Sequence, residues 1–159
     1  MKKTLLFKIL SYEDYLEIIT RLSSMGARVR EIGVTSQGRR IHCIEVGEGD
    51  LRILAVCRIH GNEPATTNAA LFFAYTCLSN GRIGGIPLKE VLKKCTIALV
   101  PAANPDGLAE YFKLYSANPK PSWENAFPEA RVNANGVDLN RDWLYLTQSE
   151  TRSIHKLFN

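Results

Sequence analysis

Two stretches constrain the fold more than anything else in the chain. "LRILAVCRI" (residues 51–59) and "CTIALVPAA" (residues 95–103) are nearly continuous apolar runs rather than alternating ones. A strand that is apolar on both faces has to be covered on both, as in a sheet flanked by helices. Each run ends in a polar turn containing a proline, "HGNEP" after the first and "NPDG" after the second. After "HGNEP" comes "ATTNAALFFAYTCL", apolar at helical spacing. Pro64 suits its first turn, where a proline loses no helical hydrogen bond.

The remaining segments extend this strand–helix alternation. "SYEDYLEIITRLSSMG" predicts a helix: Ser11 and Asp14 form a loose capping box, and Tyr15, Ile18, Ile19 and Leu22 recur on one face. Gly26 is its stop signal. "ARVREIGVTSQGRRIHCIEVGEG" reads as two strands around the turn "TSQG". "NGRIGGIP" reads as a loop and "LKEVLKK" as a short helix. "NPDG" is expected to be a turn, and residues 108–135 a mostly irregular connection. "SETRSIHKLF" is a helix opening at Ser149. The expected fold class is α/β, a mixed and mostly parallel sheet with helices on both faces. In open sheets of that kind ligands sit at the C-terminal ends of strands, where polar residues follow both apolar runs. With 159 residues, 45% of them hydrophobic, the chain can bury one core, and a single unit over 1–159 is expected.

The formal net charge of +4 comes from scattered residues, among them Arg39-Arg40 and Lys93-Lys94. No recognition motif accompanies it, so nucleic acid is not an expected partner, whereas an anionic substrate is. Cys43, Cys57, Cys77 and Cys95 form no Cys-x-x-Cys pair and sit among apolar neighbours, as buried free thiols do. Lys8 interrupts the apolar start too early for a signal peptide, and no stretch approaches the ~20 apolar residues of a membrane span. A cytoplasmic protein without membrane contact is the expectation.

Three constellations could carry chemistry. His60 and Glu63 have the spacing and ligand types of a zinc pair at a strand-to-helix turn; the same residues also make an ordinary polar turn, with Glu63 favoured by the helix dipole. "NPDG", taken alone, predicts no chemistry. "RVNANGVDLNRDW" (131–143) gathers Arg131, Asn133, Asn135, Asp138, Asn140, Arg141 and Asp142 around a few apolar residues. A guanidinium beside an amide is a cradle for a carboxylate, although a hydrophilic loop with structural ion pairs has the same composition.

In this order and spacing, "HGNE", "NPDG" and "GVDLNRDW" resemble the zinc carboxypeptidase family, the carboxypeptidase A-like peptidases. The resemblance runs from roughly Gly33 to Ile154 and includes the lead-in "GVTSQGRRI" and the trailing "SETRSI". It implies a lead-in over 1–50 and the metal and substrate motifs over 51–159. It makes His60 and Glu63 two ligands of one Zn2+ ion. Asn140 and Arg141 would bind a substrate carboxylate, and Arg131 would polarise the scissile carbonyl. The implied activity is hydrolysis of a peptide bond next to a free carboxylate by metal-activated water. The implied partner is a peptide or a small carboxylate-bearing substrate.

The family's third ligand, a histidine, and its general-base glutamate come later than this chain reaches, since Asn159 is 18 residues past Arg141 (159 − 141). The expectation is therefore a C-terminally truncated domain with little activity by itself. His155, His42 and Glu150 are read as structural residues. The wording "HGNE" and the compact loops look more like the smaller bacterial branches, such as murein peptide amidases, than the digestive enzymes. Two alternatives are a succinylglutamate desuccinylase/aspartoacylase-like deacylase and a non-catalytic peptide-binding remnant.

Overall fold

A computed structural model of the chain describes residues 8–118 and 127–158. The first helix, α1 (Tyr12–Ser24), starts as its sequence requires. Ser11 accepts the Asp14 backbone N–H, and the Asp14 side chain accepts that of Ser11, which completes the capping box. Its buried face is Tyr15, Ile18, Ile19 and Leu22, and Gly26 follows it at φ +104. Strands β1 (Arg28–Val34) and β2 (Arg40–Val46) form the expected antiparallel hairpin. Strand β3 (Leu51–Val56) leads into α2 (Pro64–Leu78), which has Pro64 in its first turn. "NGRIGGIP" holds a two-residue ribbon, β4 (Arg82–Ile83) with β5 (Ile86–Pro87), before α3 (Leu88–Leu92). Strand β6 (Cys95–Val100) and helices α4 (Pro105–Ala117) and α5 (Ser149–His155) complete the strands and α-helices of the described residues.

The main sheet has the order β1-β2-β6-β3. It is mixed, as expected, with helices on both faces. On one face α1 and α2 bury Tyr15, Leu22, Leu71 and Ala74 against Ile44, Val46, Ile97 and Leu99. On the other, Ile154 of α5 packs with Ile41, Cys43 and Val100. The balance of strand directions differs from the mostly parallel sheet expected. Among the described residues only β3 and β6 run parallel, while β1–β2 and β2–β6 are antiparallel. The reason is that the lead-in hairpin joins the main sheet through β2 instead of standing apart from it.

Two further expectations are corrected. The described residues of 108–135 are not mostly irregular, because "NPDG" opens α4 instead of forming a free turn. The Asn104 side chain accepts the Gly107 N–H at 2.8 Å, and Pro105 occupies the first turn. Turn residues and helix-start residues overlap in type, so the local sequence does not separate the two. Residues 119–126, with Pro119 and Pro121, lie outside the described residues. Strand β3, in turn, is not covered on both faces. Leu54 and Val56 join the second cluster, but Leu51 is 62% and Ile53 42% exposed on a strand that pairs with β6 alone among the described residues.

Candidate metal and carboxylate site

Strands β3 and β6 end side by side, because they are parallel neighbours in register from Leu51–Cys95 to Val56–Val100. The two polar turns therefore emerge together. Cys57 N–H donates to Val100 O, Ala103 N–H to Cys57 O, and Asn104 N–H to Arg58 O, carrying the pairing into the turns. Two glycines allow the closest approach. A Cβ on Gly61 would lie 2.3 Å from Ala130 O and from the Gly107 carbonyl carbon, and one on Gly107 would lie 2.8 Å from Ala130 O. "HGNE", "NPDG" and the short 3-10 helix at Pro128–Ala130 thus meet backbone to backbone. Gly61 N–H also donates to Arg131 O.

Asn104, fully buried, ties the second motif to the third. Its Nδ2 donates to Val132 O at 3.0 Å while its Oδ1 caps α4. Asp106 ties the second motif to the hairpin turn, accepting at Oδ1 from Thr35 Oγ1 and Arg39, each at 2.8 Å.

At the centre of this arrangement both ring nitrogens of His60 meet carboxylates. Nδ1 is 2.9 Å from Glu63 Oε1, and Nε2 is 3.2 Å from Asp138 Oδ1. Asp138 also accepts the Asn140 backbone N–H at 2.9 Å, and its Oδ2 accepts from Arg131 at 3.2 Å. Burial pushes the Asp138 carboxyl up, but the Asn140 N–H, His60 and Arg131 outweigh it and hold it below the usual carboxylate range. Arg131, Asp138, His60 and Glu63 form one continuous polar chain. Asn140 lines the cleft beside His60 and Glu63, together with Arg58 and Thr66. Arg141 follows in the 3-10 turn Leu139–Arg141, is exposed, and its guanidinium bonds to none of the described residues.

The donors at His60 and Glu63 are of the types zinc takes. An imidazole nitrogen and a carboxylate oxygen converge on one point, and the second imidazole nitrogen is held by a carboxylate, the usual support of a zinc-binding histidine. A cation between Nδ1 and Oε1 would take the place of the proton that this contact otherwise requires. Among the described residues no third His, Cys, Asp or Glu joins the pair. The residues fit one ion, with two protein donors.

His155, His42 and Glu150 stay apart from the cleft, whereas Cys57 lines it. His155 is exposed on α5, 6.4 Å from the Phe158 ring. His42 faces Tyr15 under α1 at 3.4 Å, and burial pushes its imidazole down. Glu150 is buried in the first turn of α5, where Asn133 and Ser149 donate to it. All four cysteines are free, three of them buried. No helix of the described residues is long and apolar enough to cross a membrane.

Sequence reasoning assigned no task to Asp138, Asn104 or Arg58. The signal for Asp138 was present, since a histidine expected to bind metal calls for a second-nitrogen partner and Asp138 stands in the same motif as Asn140. Arg58 carried none. Fully buried and at φ +52, it donates from Nε to Gly61 O at 2.9 Å and lies 5.6 Å from the Tyr111 ring centre. Burial pushes its guanidinium down to about 10.

Comparison with known proteins decides the family. The model of the zinc carboxypeptidase family matches residues 12–157. The chain belongs to the zinc carboxypeptidase family. Human carboxypeptidase Z is 28% identical over 152 residues, covering 89% of this chain and 22% of that protein. An inactive metallocarboxypeptidase of Talaromyces stipitatus is 26% identical, covering 83% of this chain and 23% of that protein. The crystal structure of a metallo-carboxypeptidase from Burkholderia cenocepacia superposes with a TM-score of 0.71 at 21% identity, covering 93% of this chain and 37% of that one. This zinc carboxypeptidase chain therefore spans about a fifth to a quarter of the length of the curated relatives named here. The mixed α/β fold is the one it shares with that crystal structure.

Proposed function

We propose that the chain supplies the metal-binding and carboxylate-binding part of a zinc-dependent metallocarboxypeptidase that hydrolyses a peptide bond next to a free carboxylate. The observation that carries this reading is His60, with Nδ1 on Glu63 and Nε2 on Asp138. His60 and Glu63 would hold the ion, and zinc bound there supplies an activated water and a polarised carbonyl. Asp138 accepts the Nε2 proton, which fixes the tautomer and leaves the Nδ1 lone pair to the metal. Arg131 places one nitrogen on Asp138; the remaining donors of its half-exposed side chain can stabilise a developing oxyanion. Arg141, free of ion pairs with the described residues, can take a substrate carboxylate through paired hydrogen bonds, with Asn140 beside the cleft completing the cradle.

The test is zinc titration of the chain and of His60→Ala and Glu63→Ala. The expected result is one zinc per chain with affinity lost in both variants; zinc binding unaffected by either change would sink the reading. Peptides with free and amidated C-termini, assayed beside N-acetyl- and N-succinyl-amino acids, separate peptidase from deacylase chemistry. Binding of the free-carboxylate peptide without turnover would mark the non-catalytic alternative, which the resemblance to an inactive relative keeps in play.

A further inference from the structure

Arg58 concentrates three unfavourable features in one residue. It is 1% exposed, and its backbone stands at φ +52, a region that non-glycine residues rarely occupy. Both of its Nη atoms are buried without a hydrogen-bond partner, and it forms no ion pair with any described residue. A guanidinium shut away from water without an anion is strongly disfavoured. The Tyr111 ring and the single bond from Nε to Gly61 O offset only part of that cost.

The backbone holds the residue firmly. Arg58 N–H donates to Thr66 Oγ1 at 3.0 Å, and its carbonyl accepts the Asn104 N–H at 3.1 Å. Arg58 also lines the cleft of about 240 Å3 that contains His60, Glu63 and Asn140. A preorganised cation with both Nη atoms unpartnered, carried by a residue that lines the cleft, is poised for a planar bidentate anion.

We propose that Arg58 is the receptor for a second carboxylate, carried by an acidic side chain of the bound peptide and distinct from the carboxylate assigned to Asn140 and Arg141. The carboxylate reaches the Nη atoms when the Tyr111 side chain rotates off the guanidinium, and it pairs with both. Only the source of this carboxylate, a peptide substrate, rests on the peptidase reading; the unpaired guanidinium stands on geometry. The proposal gives this chain a preference for acidic peptides.

The test uses short acetylated peptides with a free C-terminus and a glutamate or a glutamine moved through the three positions before the last. Each is titrated calorimetrically into the zinc-loaded chain, Arg58→Met, Arg58→Lys and Arg141→Met, with folding checked by circular dichroism. At one position the glutamate peptide should bind about tenfold tighter than its glutamine twin, as a charge-assisted bidentate pair would give. That preference should persist in Arg141→Met and disappear in Arg58→Met. Should Arg58→Met not fold, Arg58→Lys, which keeps the charge but not the fork, should show a reduced preference. Equal affinities for every glutamate–glutamine pair in the parent chain overturn the proposal, as does a preference that Arg58 substitution leaves intact. Indifference to C-terminal amidation would instead count against the peptidase reading and leave the glutamate comparison standing. If no peptide binds, acetate is titrated while the Arg58 guanidinium 15N signals are followed. A saturable shift retained in Arg141→Met supports the site, and no shift overturns it.

Discussion

His60 meets a carboxylate at each ring nitrogen, and the two contacts have different uses. Glu63 shares the point where a cation would sit, and Asp138 sets the tautomer. Asp138→Asn should therefore weaken zinc binding about 10- to 100-fold while leaving the fold intact, read by competition with a chelating dye and by circular dichroism. An unchanged affinity would reduce Asp138 to a loop residue. Gly61 acts at the same scale through what it lacks. An added methyl would press into Ala130 O and Gly107, backbone that cannot turn aside. Gly61→Ala should lower stability by about 1–3 kcal/mol, the range for a forced core insertion, and lower zinc affinity with it. Thermal melts and the same dye assay check both.

Among the elements, α5 is joined to the Asn-Arg motif through Asp142. Its carboxylate is buried and accepts the Thr147 and Gln148 backbone N–H groups, each at 2.9 Å, and the hydroxyls of Thr147 and Thr151. Burial pushes the Asp142 carboxyl up, but the Thr147 and Thr151 hydroxyls and the two N–H groups outweigh it and pull it down to about 2. A carboxyl depressed in the folded state stabilises it fully above the ordinary value of 3.8, and loses that contribution as pH falls toward about 2. Denaturant midpoints of the parent chain should thus drop between those limits. Asp142→Asn should be less stable at neutral pH, with a shallower fall in acid. An identical acid profile would remove Asp142 as the cause.

At the level of the whole molecule, the sheet has an open side. Strand β3 exposes Leu51 and Ile53 and pairs on one edge alone among the described residues. Such an edge invites pairing with another chain. The isolated chain should self-associate with rising concentration. Ile53→Lys should suppress this in light scattering with little change in melting temperature, because Ile53 is already 42% exposed. Association unaffected by Ile53→Lys would locate the sticky surface elsewhere.

The elements themselves were legible in the sequence wherever the signal is local. The Ser11–Asp14 capping box, the apolar face of α1, the proline opening α2 and the turn between β1 and β2 are each encoded by residues within a few positions of one another. The candidate residues were legible too, as three motifs in order, although nothing in their spacing placed them in one cleft. "NPDG" was misread because an asparagine that caps a helix and one that starts a free turn look alike until the helix has something to pack against. Strand β3 was misread because an apolar run states what must be buried and not whether a neighbour is present to bury it. Tertiary structure alone brought Asp138 to His60, 78 positions away in the chain, and set Arg58 without an anion against Tyr111. The division has a physical cause. Periodicity and capping act through adjacent residues and can be read along the chain, whereas hydrogen bonds and close approaches across the fold exist only once two parallel strands have brought their ends together.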